Sequence, residues 1–130
     1  IVMDLTTAAL GYGLDYSFTV MEQARLAALK GDAELAFPMS SGTTNAWAAR
    51  EASMQMPQEW EPRELRGPLW EVTTALALLL AGVDLFMMMH PAAVKTLKDI
   101  AKSLADGKSV GADKFAEWVS NKIQTEHERI

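Results

Sequence analysis

The sequence predicts an α/β protein, namely the C-terminal portion of a TIM (β/α)8 barrel with three parallel strands alternating with helices. Short apolar runs at residues 1–3, 35–37 and 83–89 each precede a segment that is typical of a helix. This alternation favours parallel strands joined by right-handed crossovers. Three parallel strands cannot close a barrel, which needs about eight, so we expect the chain to be the end of a longer one.

The predicted units divide the chain into two parts. Residues 1–107 form the last three strand-helix units of the barrel, and residues 108–130 form a C-terminal amphipathic helix and a charged tail. The tail helix is predicted from apolar residues on one side, which are Phe115, Trp118, Val119 and Ile123.

The first unit consists of a strand over residues 1–3, a turn, and a helix over residues 14–29. Apolar residues recur in this helix at three- and four-residue spacing and predict a face that packs into the core. They are Leu14, Phe18, Met21, Ala24 and Ala28. Gly31 is placed to end the helix, because glycine readily adopts the left-handed conformation found after a helix C-terminus.

The second unit has a strand at residues 35–37, closed by Pro38, and a polar loop over residues 40–45. Asn45 is suited to cap a short helix that runs through Glu51. Between residues 56 and 68 the chain carries prolines and alternating charges, which predict an ordered surface segment without regular structure.

The third unit begins with a helix from Pro68 to Ala81, because proline fits the first turn of a helix and Gly82 can end it. The helix has a broad apolar face of Leu69, Val72, Ala75, Leu76, Leu79 and Leu80. A strand at residues 83–89 follows and is apolar except for Asp84, as expected for a strand covered by helices. Pro91 then starts a last helix, which Gly107 closes.

The composition excludes several classes of function. The 130 residues include 12 basic and 17 acidic side chains and have a net charge of -5, which argues against a nucleic-acid partner. The chain contains no cysteine, so it offers no thiolate for an iron-sulfur cluster or for most structural zinc sites, and we predict no metal site.

The location is expected to be cytoplasmic. The N-terminal residues lack the pattern of a secretory signal. Residues 69–89 are numerous enough to span a bilayer, but they contain Glu71, Gly82 and Asp84. Because charged residues are unfavourable in a membrane interior, we predict no membrane contact and interpret this stretch as a helix followed by a strand.

Ligands in barrels of this type bind at the carboxyl ends of the strands, so the candidate cofactor-binding residues follow the first two strands. They are Asp4, Thr6, Thr7, Ser40, Ser41, Thr43, Thr44 and Asn45. A purely structural alternative exists for both groups, because Asp4 could cap a turn and the loop at residues 40–45 could cap a helix.

The segment at residues 87–90 lies at the same predicted edge. Its three methionines could line a flat apolar macrocycle, or they could simply belong to a buried strand. His90 could bind a metal or carry a proton, and its structural alternative is favoured because no second ligand lies at a suitable spacing. His90 and His127 are the only histidines, and the sequence shows no nucleophile-base-acid set, so we predict no catalytic residue in this chain.

Four stretches, in the same order, resemble the small-subunit family of corrinoid iron-sulfur proteins, which is the delta subunit of the acetyl-CoA decarbonylase/synthase system. They are DLTTAALGYGLDYS at 4–17, FPMSSGTTNAW at 37–47, PLWE at 68–71 and GVDLFMMMHP at 82–91. The similarity extends to about Leu104. Leu5 departs from it, since the family has proline at this position.

The resemblance implies a component of the methyl carrier in the reductive acetyl-CoA (Wood-Ljungdahl) pathway. The small subunit would form a heterodimer with the corrinoid iron-sulfur protein large subunit. That partner would hold most of the corrinoid (cobalamin) and the only [4Fe-4S] cluster, while the small subunit shields the cobalt. The methyl group would come from methyl-tetrahydropterin through methyltetrahydrofolate methyltransferase and pass on to acetyl-CoA synthase/CO dehydrogenase.

Two other interpretations remain open from the sequence. The chain could belong to a pterin-dependent methyltransferase barrel that binds methyltetrahydrofolate directly, or it could be a structural scaffold. The first of these predicts hydrogen bonds between a pterin ring and an Asp or Asn at a strand end.

Overall fold

The computed structural model describes residues 1–109. Its centre is a parallel three-stranded sheet with the strand order β1-β2-β3. The strands are β1 (Met3–Asp4), β2 (Met39–Ser41) and β3 (Leu85–Phe86). The α/β class is therefore confirmed, whereas the closure of this sheet into a TIM barrel stays a prediction.

Helices connect the strands. The α-helices are α1 (Leu14–Leu29), α2 (Arg50–Ser53), α3 (Arg63–Leu80) and α4 (Pro91–Ala105). Short 3₁₀ helices cover Ala33–Leu35, Thr43–Ala48 and Gln58–Trp60. The crossovers from β1 to β2 and from β2 to β3 thus each contain a long helix, as parallel pairing requires.

One face of the sheet packs against helices α1 and α3. The buried cluster at this contact comprises Met21, Ala24, Met39, Leu78, Ala81 and Val83. Successive residues of a strand point to opposite faces of the sheet. Met39 faces the helices, so Ser40 and the residues paired with it face the other side. These residues are Asp4, Ser40 and Leu85, and the outer two, Asp4 and Leu85, are exposed. Within residues 1–109 nothing covers this second face as the helices cover the first.

The second strand was predicted too early in the chain. Residues 33–35 form a 3₁₀ helix, which starts where the Asp32 side chain accepts a hydrogen bond from the Glu34 N–H at 3.0 Å. Pairing begins only at Pro38, whose carbonyl accepts the Met3 N–H at 2.8 Å. The strand therefore includes Ser40 and Ser41, which the sequence had placed in a loop.

Helix α3 begins at Arg63 rather than at Pro68, so the predicted irregular segment ends earlier than expected. Pro62 occupies the extended N-cap position, with φ -82° and ψ 141°. Pro68 lies in the second turn of the helix, where it lacks the N–H that would donate to the carbonyl four residues earlier. Leu65 and Arg66 are buried, and this burial accounts for the additional turn.

The boundaries of α1 and α4 agree with the prediction, whereas the short helix predicted from Asn45 through Glu51 is replaced by the 3₁₀ helix Thr43–Ala48 and by α2. Helix α1 covers the predicted residues, and α4 starts at Pro91. Gly31, Gly82 and Gly107 follow α1, α3 and α4 with φ of +104°, +105° and +65°, which glycine adopts without steric cost. Strand β1 is offset from the predicted residues 1–3, and β3 is shorter than the predicted residues 83–89. The predicted tail helix lies outside the described residues, except for Lys108 and Ser109.

The stretch at residues 69–89 is a helix followed by a strand, as predicted. Among the helices within residues 1–109, none is long and apolar enough to cross a membrane. Both acidic residues of the stretch bond to backbone N–H groups: Asp84 accepts from Met39 at 2.9 Å, and Glu71 accepts from the segment after β3.

Candidate functional site

The predicted site residues after β1 and β2 lie side by side at the carboxyl end of the sheet. The hydroxyls of Thr7 and Ser41 are 2.7 Å apart and form a hydrogen bond. The Asn45 side-chain amide donates to the Thr7 carbonyl at 3.2 Å. Two separate segments of the chain are therefore joined by polar contacts between residues selected from the sequence.

Asp4 and Thr6 form the turn that leaves β1. The Asp4 carboxylate accepts the Thr6 N–H at 3.2 Å, and Thr6 has a φ of +94°, a left-handed conformation that is uncommon for a threonine. This contact is the turn-capping role that the structural alternative predicted for Asp4. Both side chains remain exposed and can also meet a ligand.

Ser40 and Thr43 contribute little exposed surface. The Ser40 hydroxyl lies 3.5 Å from the Met3 carbonyl, and Ser40 is buried between the neighbouring strands. Thr43 is fully buried, and its hydroxyl donates to the Met87 carbonyl at 3.4 Å. These two residues support the site and do not present polar groups to a ligand.

Asn45 does not cap a helix, contrary to the prediction. The 3₁₀ helix starts at Thr43 with Gly42 in the N-cap position, so Asn45 lies inside the helix. Its side chain is exposed and points to the loop after β1, where it reaches Thr7. The Thr44 N–H donates to the Met87 carbonyl at 3.3 Å. The Thr44 hydroxyl takes no part in this bond and can bind a ligand.

The segment at residues 87–90 completes this edge of the sheet. The Met87 N–H donates to the Ser41 carbonyl at 2.9 Å. The side chains of Met87 and Met89 are 50% and 56% exposed, so the buried-strand alternative is wrong for these two residues. Met88 instead lines a groove between β3 and α4.

Glu71 is the residue at this edge that sequence reasoning missed. It is fully buried on α3, and its two carboxylate oxygens accept the N–H groups of Met89 at 2.5 Å and His90 at 2.9 Å. The sequence did contain a signal, because Glu71 interrupts the apolar face of a helix.

His90 has a structural role in this arrangement. Its Nδ1 accepts the Ala92 N–H at 3.2 Å and so caps helix α4. Its ring stacks on Trp47 with a centroid distance of 6.0 Å. Among residues 1–109 no three His, Cys, Asp or Glu side chains come together as a metal site would require, and the prediction for the rest of the chain stays a prediction.

A further polar contact joins the loop after β1 to helix α2. The Tyr12 hydroxyl donates to Glu51 Oε2 at 2.9 Å and accepts the Arg50 N–H at 3.2 Å. A hydrogen bond from its own backbone N–H, followed by the one from Tyr12, lowers the pKa of Glu51 below its ordinary value of 4.5. The neighbouring Arg50 acts in the same direction, while desolvation opposes it.

Comparison with known proteins identifies the family. Residues 1–58 match the family described as the CO dehydrogenase/acetyl-CoA synthase delta subunit. The acetyl-CoA decarbonylase/synthase complex subunit delta of Archaeoglobus fulgidus is 61% identical, over 92% of this chain and 27% of the relative. The chain belongs to this delta-subunit family. The resemblance drawn from the sequence motifs is thereby confirmed.

Other members of the delta-subunit family show the same degree of similarity. The subunit delta of Methanosarcina mazei is 55% identical over 95% of this chain and 29% of the relative. That of Methanocaldococcus jannaschii is 60% identical over 80% of this chain and 25% of the relative. The chain thus spans between 25% and 29% of the length of these three relatives.

Proposed function

We propose that this segment of the delta subunit contributes to a surface that shields a corrinoid held by a large partner subunit. The observation that carries the proposal is the juxtaposition at the carboxyl end of the sheet. There, the polar side chains of Thr6, Thr44 and Asn45 lie on the same edge as the half-exposed Met87 and Met89. A corrinoid has peripheral amide groups around a flat apolar ring, so both kinds of side chain have a counterpart.

The polar residues retain free hydrogen-bonding capacity. Asn45 uses one N–H for the Thr7 carbonyl, which leaves its second N–H and its carbonyl oxygen. Within residues 1–109 the hydroxyls of Thr6 and Thr44 have no hydrogen-bond partner. Each bond to a corrinoid amide would contribute about 1 kcal/mol net.

The apolar part of the surface suits a flat ring. Methionine side chains are unbranched and polarizable, so they adapt to the shape of a partner. Gly42 lies beneath Met87, with 3.7 Å between the Met87 Cε and the position that a Cβ at Gly42 would take. The end of the Met87 side chain therefore lies next to the Gly42 backbone, where no side chain separates the two.

The proposed role places the segment in the methyl carrier of the reductive acetyl-CoA pathway. The corrinoid, when bound, carries the methyl group between a methyl-tetrahydropterin methyltransferase and acetyl-CoA synthase/CO dehydrogenase. This chain's residues would orient the ring edge and exclude water from it. The [4Fe-4S] cluster would belong to the large subunit, and this chain supplies no cysteine that could ligate it.

A second candidate function is direct binding of methyltetrahydrofolate. One observation favours it, which is that Asp4 and Asn45 are both exposed at strand ends. A carboxylate and an amide in this position can pair with the donors and acceptors of a pterin ring. Calorimetric titration of the full-length delta subunit alone with methyltetrahydrofolate tests this candidate, because shielding of a partner's corrinoid predicts no binding there.

The proposed shielding is tested by the affinity of the full-length delta subunit for its large subunit, with and without corrinoid. The double variant Thr44→Ala/Asn45→Ala should bind the corrinoid-loaded large subunit about tenfold or more weakly than the wild type. Its affinity for the corrinoid-free subunit should stay the same. Thr43 is left unchanged because its burial would confound stability with binding.

A matched control variant is Gln23→Ala/Thr73→Ala. It removes an amide and a hydroxyl from exposed positions on α1 and α3, and it should bind both forms of the large subunit like the wild type. An equal loss for the site variant in both forms would show a protein contact instead of corrinoid recognition. No loss in either form would contradict the proposed function.

A further inference from the structure

We propose that Glu71 is a positioning residue, which fixes the segment at residues 87–90 and so holds Met87 and Met89 at a set distance from the polar residues after β2. The ligand that these side chains meet rests on the proposed function above. The positioning itself rests only on contacts within this chain, and it can be tested without any ligand.

The contact of Glu71 with the backbone is unusually complete. Its two carboxylate oxygens accept consecutive N–H groups, those of Met89 and His90, at 2.5 and 2.9 Å. Hydrogen bonds to an ionised acceptor are shorter and stronger than neutral ones. Among the described residues no cation forms an ion pair with Glu71, so the backbone is the partner of this carboxylate.

A purely space-filling role does not explain a carboxylate at this position. The buried neighbours of Glu71 along α3 include Val72, Ala75 and Leu78, so an apolar side chain would suit the same helix. A buried carboxylate is unfavourable unless it is hydrogen-bonded. With an apolar residue at position 71, however, the N–H groups of Met89 and His90 would lose their acceptors. The carboxylate therefore supplies the acceptors for the N–H groups of Met89 and His90, which lie between β3 and α4.

The same segment also bonds to β2 and to the 3₁₀ helix Thr43–Ala48 that follows it. The Met87 carbonyl accepts from the Thr43 hydroxyl at 3.4 Å and the Thr44 N–H at 3.3 Å. The Met87 N–H donates to the Ser41 carbonyl at 2.9 Å. Hydrogen bonds from two parts of the chain therefore fix this short segment. Ser41, Thr43 and Thr44 bind Met87, and Glu71 on α3 binds Met89 and His90.

Trp47 reinforces this connection. Its ring stacks on His90, whose N–H is one of the two groups that Glu71 binds. The ring also lies so close to α3 that a Cβ at Gly67, one turn before Glu71, would be 2.3 Å from Trp47 Cζ3. A change at Glu71 should therefore be transmitted to the spacing between the two strand-end segments.

The first test is amide hydrogen exchange on the full-length delta subunit. In Glu71→Gln the side-chain NH₂ would face one of the two N–H groups, so we expect the amides of Met89 and His90 to exchange about tenfold or more faster. Amides of α1 should not change. The control Glu64→Gln removes an exposed charge from the first turn of the same helix and should leave Met89 and His90 as in the wild type.

Unchanged exchange at both amides in Glu71→Gln would overturn the proposal. If this variant does not fold, the wild type decides, because Met89 and His90 must then exchange at least about tenfold more slowly than in an unstructured chain. Fast exchange of these two amides in the wild type would equally overturn it.

The second test links the position to the ligand. Glu71→Gln should weaken binding to the corrinoid-loaded large subunit by about tenfold, with unchanged binding to the corrinoid-free subunit. Faster exchange without this loss would overturn the part of the proposal that concerns ligand contact. A failure of the proposed function itself is recognised separately, because the Thr44→Ala/Asn45→Ala variant would then also bind both forms like the wild type.

Discussion

Single residues decide how closely α3 approaches the strand-end loops, and Gly67 is the clearest case. A Cβ there would lie 2.3 Å from Trp47 Cζ3, and the Trp47 ring is held against His90. We expect Gly67→Ala to destabilise the full-length delta subunit by about 1–3 kcal/mol, as overpacking of a filled interior does. Chemical denaturation measures this loss.

The matched control is Gly42→Ala. A Cβ at Gly42 would be 3.7 Å from Met87 Cε, which is ordinary contact, and its backbone φ of -87° suits alanine. This variant should be close to the wild type in stability. Equal effects of the two substitutions would mean that the close approach at Gly67 is not a constraint.

Glu51 gives a prediction for pH dependence at the residue scale. Because its pKa is lowered in the folded protein, its ionised form favours folding above pH 4.5, and this contribution is lost as the pH falls through the lowered pKa. Tyr12→Phe removes one of the causes, so the pKa of Glu51 should rise toward 4.5. A carboxyl-carbon NMR titration measures it, and an unchanged pKa would contradict the role of the hydrogen bond from Tyr12.

The polar candidates were recognisable from the sequence because they follow apolar runs, and Thr7, Ser41 and Asn45 do meet in the structure. Their partners were not predictable. Glu71 binds backbone groups far along the chain, and nothing in the local sequence indicates which N–H groups a buried carboxylate will face. The same holds for Arg66, which is buried although Arg63 and Glu64, shortly before it in the sequence, are exposed.

At the scale of elements, Arg66 ties the start of α3 to α2. Its guanidinium donates to the carbonyls of Glu51 at 2.6 Å and Met54 at 2.7 Å. Lysine cannot reproduce this two-pronged geometry. We expect Arg66→Lys to lower the free energy of unfolding by about 1–3 kcal/mol, because at least one buried carbonyl loses its donor.

Arg63→Lys is the control for this substitution. Arg63 is exposed on the same helix and bonds to the Ser53 carbonyl, so its replacement should have a much smaller effect. Urea denaturation of both variants compares them directly. A loss at Arg63 as large as that at Arg66 would contradict the assignment of Arg66 as the main tie.

Elements with strong local signals were predicted well, and those decided by distant contacts were not. Helices α1 and α4 have apolar stripes and end next to glycines, so periodicity and glycine position sufficed. The predicted second strand is offset from β2 because the apolar run at residues 35–37 has the local pattern of a strand but does not pair. Strand β2 itself pairs with β1 through Pro38 and Met39, a contact that local sequence does not show. Helix α3 starts early because Leu65 and Arg66 are buried near its start, where the Arg66 guanidinium bonds to the carbonyls of Glu51 and Met54.

At the scale of the whole molecule, the sheet face that residues 1–109 leave uncovered bears on how the chain behaves in isolation. Leu85 and Met87 are 54% and 50% exposed there, and both edge strands of the described sheet have one unpaired side. Exposed strand edges and apolar patches promote association. We therefore expect the isolated 130-residue chain to self-associate, as light scattering would detect. A monomeric sample with a cooperative calorimetric transition would contradict this expectation.

The central claim is that the carboxyl end of this sheet faces a corrinoid, and the most direct measurement is a structure of the full-length delta subunit bound to its corrinoid-loaded large subunit. We predict that Thr44 and Asn45 lie within hydrogen-bond distance of the corrinoid's amide groups and that Met87 or Met89 contacts its ring. Two results would contradict the claim. The corrinoid could contact the helices of this segment, such as α4, instead of the strand-end residues, or it could make no contact with this segment.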